Sequence, residues 1–403
     1  MHGIGATAIG GHRGGSVMSN ITTTDPPAWV KAAMLAHLPL MMPQILWTLA
    51  SRWSVEEIWH GLGAGTLRAD DLYTDDGRSV LTAGHRAAWA AGIRATDPGR
   101  LQQQYEEANV RVLYLGGPGY PEKLAADPQP PVVLFLRGAL VALDSPRVVA
   151  IVGTRKATAY GRQVARRFGA ELASEGVCVI SGLALGIDGA AHTGALEVNA
   201  TTPVIGVVGT GLDVVYPARH SHLWRAVADH GALLSEAPLG ACGQPYRFPL
   251  RNRIIAALAD VVVVVESGAV GGSMITATLA NDRERPVLAV PGPILAESSA
   301  GTNSMLSLCT AQICTGMLDI RAALGLATAG RGLTFVDPRP APNAADSHVL
   351  AALAWDVLTT EAVMARTGST LAGATMALVR LESSGWVGRG AAGWYRVAMM
   401  GER

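Results

Sequence analysis

The sequence predicts an α/β protein organised on a parallel sheet, and three observations carry that prediction. Six β-rich runs, RVVAIVG, GVCVISG, PVIGVVG, ALLSE, DVVVVVES and PVLAVPG, recur from Val148 onward at intervals of about 25 to 30 residues, as repeated βαβ units do. The runs are apolar without alternation, the pattern of strands buried on both faces. Between the first two, Val164, Phe168 and Leu172 recur every fourth residue and Gly176 closes the segment, which describes an amphipathic helix with a glycine C-cap.

The 403 residues are enough for roughly two or three domains, and 49% hydrophobic content supplies their cores. Only 16% of residues are charged, and 32 acids balance 32 bases, so no global field gathers a polyanion. A nucleic-acid site must therefore be local. The lysines are Lys31, Lys123 and Lys156 alone, so the positive charge is almost all arginine, which grips phosphate bidentately and stacks on planar groups. Cys178, Cys242, Cys309 and Cys314 form no CxxC pair; buried thiols in a reduced, cytoplasmic setting are expected, with no structural metal.

Residues 1–25 are glycine-rich without an apolar h-region and read as a disordered tail, with Met18 as an alternative start. Residues 26–110 read as a helical domain, with Trp47, Leu49, Trp53 and Ile58 near helical spacing and punctuation at GLGAG and YTDDG. Ala32 to Ala50 carries no charged residue, yet Pro39 and Pro43 break it, so two short helices joined at LPLMMP are expected and no membrane span. Two apolar runs around a proline-rich bend, RVLYLGGPGYPEKLAADPQPPVVLFLRGAL, read as a connector into the sheet domain of residues 111–328. Residues 329–345 are rich in proline and alanine and read as a linker. Residues 346–403 then show three helical stretches and WVGRGAAGWYRV as a hairpin, the element order of a winged helix. From residue 344 on, five acids face five arginines, so this unit has no basic footprint and suits protein contact better than duplex reading.

Chemistry in such a sheet sits beyond the carboxyl ends of the strands. The loops leaving those ends, among them GTRKATAYG, SGLALGIDGAAH and ESGAVGGS, are dominated by Gly, Ser and Thr, which bring backbone N–H groups and small hydroxyls onto an anion. After Gly153 come Thr154 and Arg155, and the next glycine is Gly161, so the dinucleotide fingerprint is absent; no P-loop and no G-x-S-x-G elbow occurs either. Asp188 and His192 stand at i, i+4 with a structural role favoured, and His220 and His222 lack a third metal ligand. Weight returns to PYRFPLRNRIIAALADVVVVV, where Arg247, Arg251 and Arg253 interleave with Tyr246 and Phe248 ahead of an apolar run ending at Glu266. Successive cations with π-faces between them suit an extended single strand, whose phosphates and bases need both.

In this order across residues 153–303, GTRKATAYG, VCVISGLALGIDGAAHTGAL, GTGLDVVYP, LLSEAP, RFPLRNRII, GGSMITATLA and AVPGPILAESSAGTN resemble the DNA processing protein A (DprA/Smf) family. The resemblance implies an extended Rossmann-like doubly wound sheet, a SAM- or helix-hairpin-helix-like N-terminal domain, single-stranded DNA binding, a homodimer and hand-over of strands to the RecA recombinase. It implies no catalytic residue, cofactor or metal. By resemblance Gly153, Thr154, Arg155, Ser181, Gly182 and Gly186 line the phosphate pocket with Arg247, Phe248, Arg251, Asn252 and Arg253, while Ser273, Thr276, Thr302 and Asn303 match later motifs. Leu185 and Pro245 stand where relatives often carry positive charge, and LPLMMP lacks the glycines that let a hairpin backbone approach phosphate. Two other classes compete: a nucleotide-binding phosphoribohydrolase-like enzyme, whose PGGxGTxxE carboxylate has no counterpart after Gly301-Thr302, and a winged-helix regulator.

Overall fold

The computed structural model describes residues 25–67, 83–198, 200–326 and 339–397. The expected N-terminal tail, Met18, YTDDG and most of the proline-rich linker lie outside them. Five helices open the described chain: α1 (Ala28–His37), α2 (Pro43–Ala50), α3 (Val55–Ala64), α4 (Ala83–Ala95) and α5 (Pro98–Glu107). LPLMMP is the turn between the first two, as expected, and Pro43 begins α2 where a missing N–H costs nothing. No helix among the described residues is long and apolar enough to cross a membrane.

The sheet has nine strands: β1 (Arg111–Tyr114), β2 (Val133–Gly138), β3 (Val148–Val152), β4 (Cys178–Ser181), β5 (Val204–Val207), β6 (Ala232–Ser235), β7 (Val261–Val264), β8 (Val287–Ala289) and β9 (Gln312–Ile313). Their spatial order is β1-β2-β6-β5-β4-β3-β7-β8-β9. All six predicted runs are strands, and β6 through β8 pair in parallel. The connector reading of residues 111–140 needs correction: its two apolar runs are β1 and β2, which pair antiparallel and extend the sheet from β6. An antiparallel edge has no crossover helix, so the regular interval that revealed the other strands is missing there.

Connections run outward from β3 in both directions, toward β4, β5 and β6 on one side and β7, β8 and β9 on the other. The helices between them are α6 (Glu122–Ala125), α7 (Ala159–Ser174), α8 (Ile187–Glu197), α9 (Ser221–His230), α10 (Arg247–Leu258), α11 (Gly272–Asn281), α12 (Ala300–Ser307) and α13 (Met317–Ala323). Alternate residues of one strand serve opposite layers: Val149 and Ile151 join the core beneath α7 and α8, while Val148, Ala150 and Val152 join the core beneath α10 and α11. The N-terminal helices share the first of these cores. Tyr105 of α5 stacks on Phe135 of β2 with ring centroids 5.4 Å apart, and its hydroxyl accepts from Leu239 N at 3.3 Å. The helical region is therefore welded to the sheet edge that β1 and β2 create.

After the linker come α14 (Ala344–Leu353), α15 (Thr360–Thr367) and α16 (Leu371–Ser383), then β10 (Val387–Gly390) paired antiparallel with β11 (Gly393–Arg396). Leu353, Val363, Leu378, Leu381 and Trp394 form a separate small core. This unit touches α7 through Gln163, whose side-chain amide donates to Arg396 O at 2.7 Å, and through Tyr160 against Trp355.

The α7–α8 crossing sets the spacing of the layer that carries the β3 and β4 loops. Gly169 faces the backbone of Ala191, and a Cβ at Gly194 would collide with the Arg166 carbonyl. Gly194→Val should therefore destabilise the fold by about 2 kcal/mol or more in urea unfolding, since neither backbone can give way; an unchanged midpoint would contradict this close approach.

Candidate nucleic-acid interface

The first place a ligand anion would go in this sheet is the N-terminus of α7, at the turn after β3. Glu266, just beyond β7, already occupies it. Its carboxylate accepts from Thr158 N at 2.9 Å and Thr158 Oγ1 at 2.5 Å, and Gly161 is required because a Cβ there would strike the carboxyl group. Glu266 is 4% exposed. A dinucleotide pyrophosphate is thus excluded by an internal anion as well as by the missing glycines.

The open cleft lies one step along, over the ends of β3, β4 and β5. Its walls are Arg155 from the β3 loop, Gly182, Ala184 and Leu185 from the β4 loop, Gly209 and Thr210 after β5, Tyr216 and Pro217, and Phe248 and Arg251 from the first turns of α10. Arg155 is exposed, and its guanidinium carbon lies 5.0 Å from the Phe248 ring centroid. Tyr216 is tilted against Phe248, with centroids 5.2 Å apart, and is 45% exposed. A cation over an aromatic face with a second exposed ring alongside offers both phosphate contact and a stacking surface.

Arg251 reaches this cleft from beneath. It is 6% exposed, donates to the Val207 carbonyl, and covers Gly182 so closely that any side chain there would collide with the guanidinium. Its Nε is buried without a hydrogen-bond partner. Burial, with a lesser contribution from Arg155, pushes its pKa down to about 10, and the field of Asp188 opposes this. Asp188 in turn accepts from Gly182 N at 3.2 Å, with its pKa raised by burial. The β4 loop is thus clamped between a buried cation and a buried carboxyl group.

The structure brings Arg155, Gly182, Phe248 and Arg251 together, and places Arg247 beside them, its Nη1 buried without a partner. Gly153, Thr154 and Gly186 build the loops: Thr154 N donates to Glu266 O at 2.7 Å, and Gly186, at φ 84°, lies against the Thr154 carbonyl where no side chain fits. Ser181 is fully buried and donates to Ile151 O. Arg253 points elsewhere, to Glu236 at 2.5 Å and the Gln129 carbonyl, because the helical turn separates it from Arg251. Asn252, Ser273 and Thr276 satisfy one another's neighbourhood around Gly272 and Ser267, while Thr302 donates to Ser299 O and Asn303 pairs with Gly292. They fasten the β7 and β8 loops, away from the cleft. Sequence reasoning did not single out Tyr216, Thr210 or Glu266; a lone tyrosine before proline and a carboxylate ending a strand carry no signal without the topology. The thiol expectation also needs amending: Cys178 and Cys314 are buried, but Cys242 and Cys309 are exposed, all four being free.

Asp188 and His192 each bond to the backbone, Asp188 to Gly182 N and His192 to a strand carbonyl. His192 Nε2 bonds to Ile205 O at 3.0 Å, and His220 Nδ1 bonds to Leu183 O at 3.0 Å, tying the β4 loop to α9. Burial lowers His192 from 6.5 to about 4. A pKa depressed in the folded state means that stability is full above about pH 6.5 and is lost as pH falls toward 4. Between about pH 7.5 and about pH 5, roughly 2 kcal/mol of acid-side loss in urea unfolding should therefore vanish in His192→Gln; an identical pH dependence would contradict a buried neutral imidazole.

Comparison with known proteins follows the same outline. The family model for DNA recombination-mediator protein A matches residues 111–325. Protein Smf of Escherichia coli (strain K12) is 35% identical over 303 residues, covering 72% of this chain and 79% of that protein. The putative DNA processing protein DprA of Mycobacterium tuberculosis (strain H37Rv) is 46% identical over 178 residues, 44% of this chain, and the match spans 45% of that relative's length, somewhat under half. The X-ray structure of DNA processing protein A from Streptococcus pneumoniae matches with a TM-score of 0.61 and 29% identity, covering 74% of this chain and 98% of that one. With the family model spanning more than half of the chain and Protein Smf 35% identical over 79% of its own length, the chain belongs to the DNA recombination-mediator protein A (DprA/Smf) family.

Proposed function

We propose that this chain binds single-stranded DNA in the Arg155–Arg251 cleft, without catalysis, and passes the strand to the RecA recombinase. The observation that carries the reading is Arg251: a buried guanidinium with an unpartnered Nε beneath the β4 loop, next to Arg155 stacked on Phe248. A charge held this way costs stability, so an anion arriving from solvent is the natural partner. Phe248 and exposed Tyr216 offer ring faces to bases, which a paired duplex keeps stacked on one another.

The residues lining the cleft supply cations and rings; its aliphatic hydroxyl, Thr210 Oγ1, is spent on Val214 O at 2.7 Å. That lining favours holding a strand over hydrolysing a nucleotide. Glu297, the carboxylate nearest the Gly301-Thr302 motif, belongs to the β8 loop with Asn303 and Gly292. A homodimer is part of the reading: Val270, Ile294 and Leu295 are 95%, 90% and 96% exposed on adjoining loops, and Ile313 leaves the outer strand β9 apolar and open. Hand-over to RecA, a winged-helix role for the C-terminal unit and a cytoplasmic location rest on the family resemblance.

Fluorescence anisotropy with a labelled oligothymidylate tests the binding. Affinity should fall steeply with salt, single strands should be preferred to duplex, and Arg155→Ala should weaken binding roughly ten-fold while flattening the log–log salt slope by about 0.7. Salt-independent binding, or Arg155→Ala indistinguishable from wild type, would sink the reading. Release of free base from nucleoside monophosphates would favour the enzyme instead.

A further inference from the structure

A second cavity adjoins the cleft and shares Val208, Gly209 and Arg251 with it. Its outer wall is the LPLMMP turn and the start of α2, through Met41, Met42 and Leu46, and its inner wall is α10, through Leu250 and Arg247. Resting on the single-strand reading, we propose that this cavity is a subsite for one nucleobase of the bound strand, so that the N-terminal helices contribute directly to DNA binding through side chains.

Two polar atoms decide the chemistry of the occupant. Arg247 Nη1 and Arg251 Nε, on residues lining the cavity, are buried N–H donors without acceptors. Each such orphan is expensive, and a ligand that brings acceptors relieves both. Phosphate is a poor candidate, because the buried Glu236 carboxylate, held by Arg253, also lines the cavity and the facing wall is apolar. A nucleobase matches: its faces meet methionine and leucine, and its carbonyl or ring-nitrogen edge accepts from the arginines. Pyrimidines and guanine carry the carbonyl acceptors that adenine lacks. Methionine adapts to flat rings of differing size, which a sequence-tolerant subsite needs.

The wall is held in place before any ligand arrives. Trp89, fully buried, donates from Nε1 to the Pro39 carbonyl at 2.8 Å, and Leu40 takes the left-handed conformation at φ 61° to turn the chain. His37 Nε2 lies 3.0 Å from the Tyr105 hydroxyl, which also accepts from Leu239 N beside Pro238 of the cavity. The turn and the sheet edge therefore share one hydrogen-bonded post.

The test is a cycle between a filled cavity and a missing base. Met42 is 39% exposed at the mouth, so Met42→Trp fills the space without disturbing the core. A single abasic position, moved along a short oligothymidylate, should lower wild-type affinity about ten-fold at one register. Met42→Trp should lose about as much with the intact strand, keep the wild-type salt slope, and no longer respond to the abasic position at that register. Equal abasic responses in wild type and Met42→Trp, or intact-strand affinity unchanged by Met42→Trp, would overturn the subsite. If Met42→Trp does not fold, Met42→Phe makes the same comparison: loss of intact-strand affinity together with loss of one abasic-sensitive register supports the proposal, and retention of either overturns it. Wild-type binding without salt dependence would remove the single-strand reading itself, whereas steep salt dependence with no effect of Met42→Trp removes only the base subsite.

Discussion

The buried guanidinium of Arg251 is the interaction on which the rest of the site depends. It holds the carbonyl end of β5, covers Gly182 at the end of β4, shares a field with Asp188 at the head of α8, and belongs to α10 before β7. Removing an arginine from water costs several kcal/mol, and replacing such a group by apolar side chains is often stabilising. Its place is understood as pre-organisation: four elements are brought to one point around a buried cation with one donor, Nε, left without a partner. A side chain at Gly182 would displace the Arg251 guanidinium, independent of any ligand.

Glu266 complements it by closing the alternative. A doubly wound sheet offers an anion site at the first crossover helix, and this chain places its own carboxylate there, bonded to Thr158 and packed on Gly161. The positive end of α7 is thereby satisfied from within, and the open positive potential shifts to the β4 and β5 loops, where Arg155 supplies it. The result is a doubly wound sheet with its usual anion pocket plugged and a neighbouring cleft lined by Arg155, Tyr216, Phe248 and Arg251.

Much of this was legible in the sequence. Val261 to Val264 and Val148 to Val152 are strands because unbroken β-branched runs fit only a sheet covered on both faces, and the regular interval between runs revealed the parallel order. Arg155, Gly182, Phe248 and Arg251 were found through composition and motif. What the sequence concealed followed from helical phase and long-range contact. Arg253 is two residues from Arg251 on α10 and so faces Glu236 on another side of the helix. Ser273, Thr276, Thr302 and Asn303 share a sheet edge with the cleft but fasten the β7 and β8 loops. Residues 111–138 carried no βα period, so β1 and β2, and with them the docking of the N-terminal helices, were hidden.

On the proposed reading a neutral chain meets a polyanion by concentrating its charge, and here the concentration is a pair of arginines, one exposed and one buried, arranged about a phenylalanine. The most direct test of that claim is a crystal structure of the chain with an oligothymidylate. The account predicts a backbone phosphate within about 3 Å of the Arg155 guanidinium, a base against Phe248 or Tyr216, and Glu266 still bonded to Thr158. A phosphate at the N-terminus of α7 with Glu266 displaced, or a strand bound only to the C-terminal unit, would contradict it.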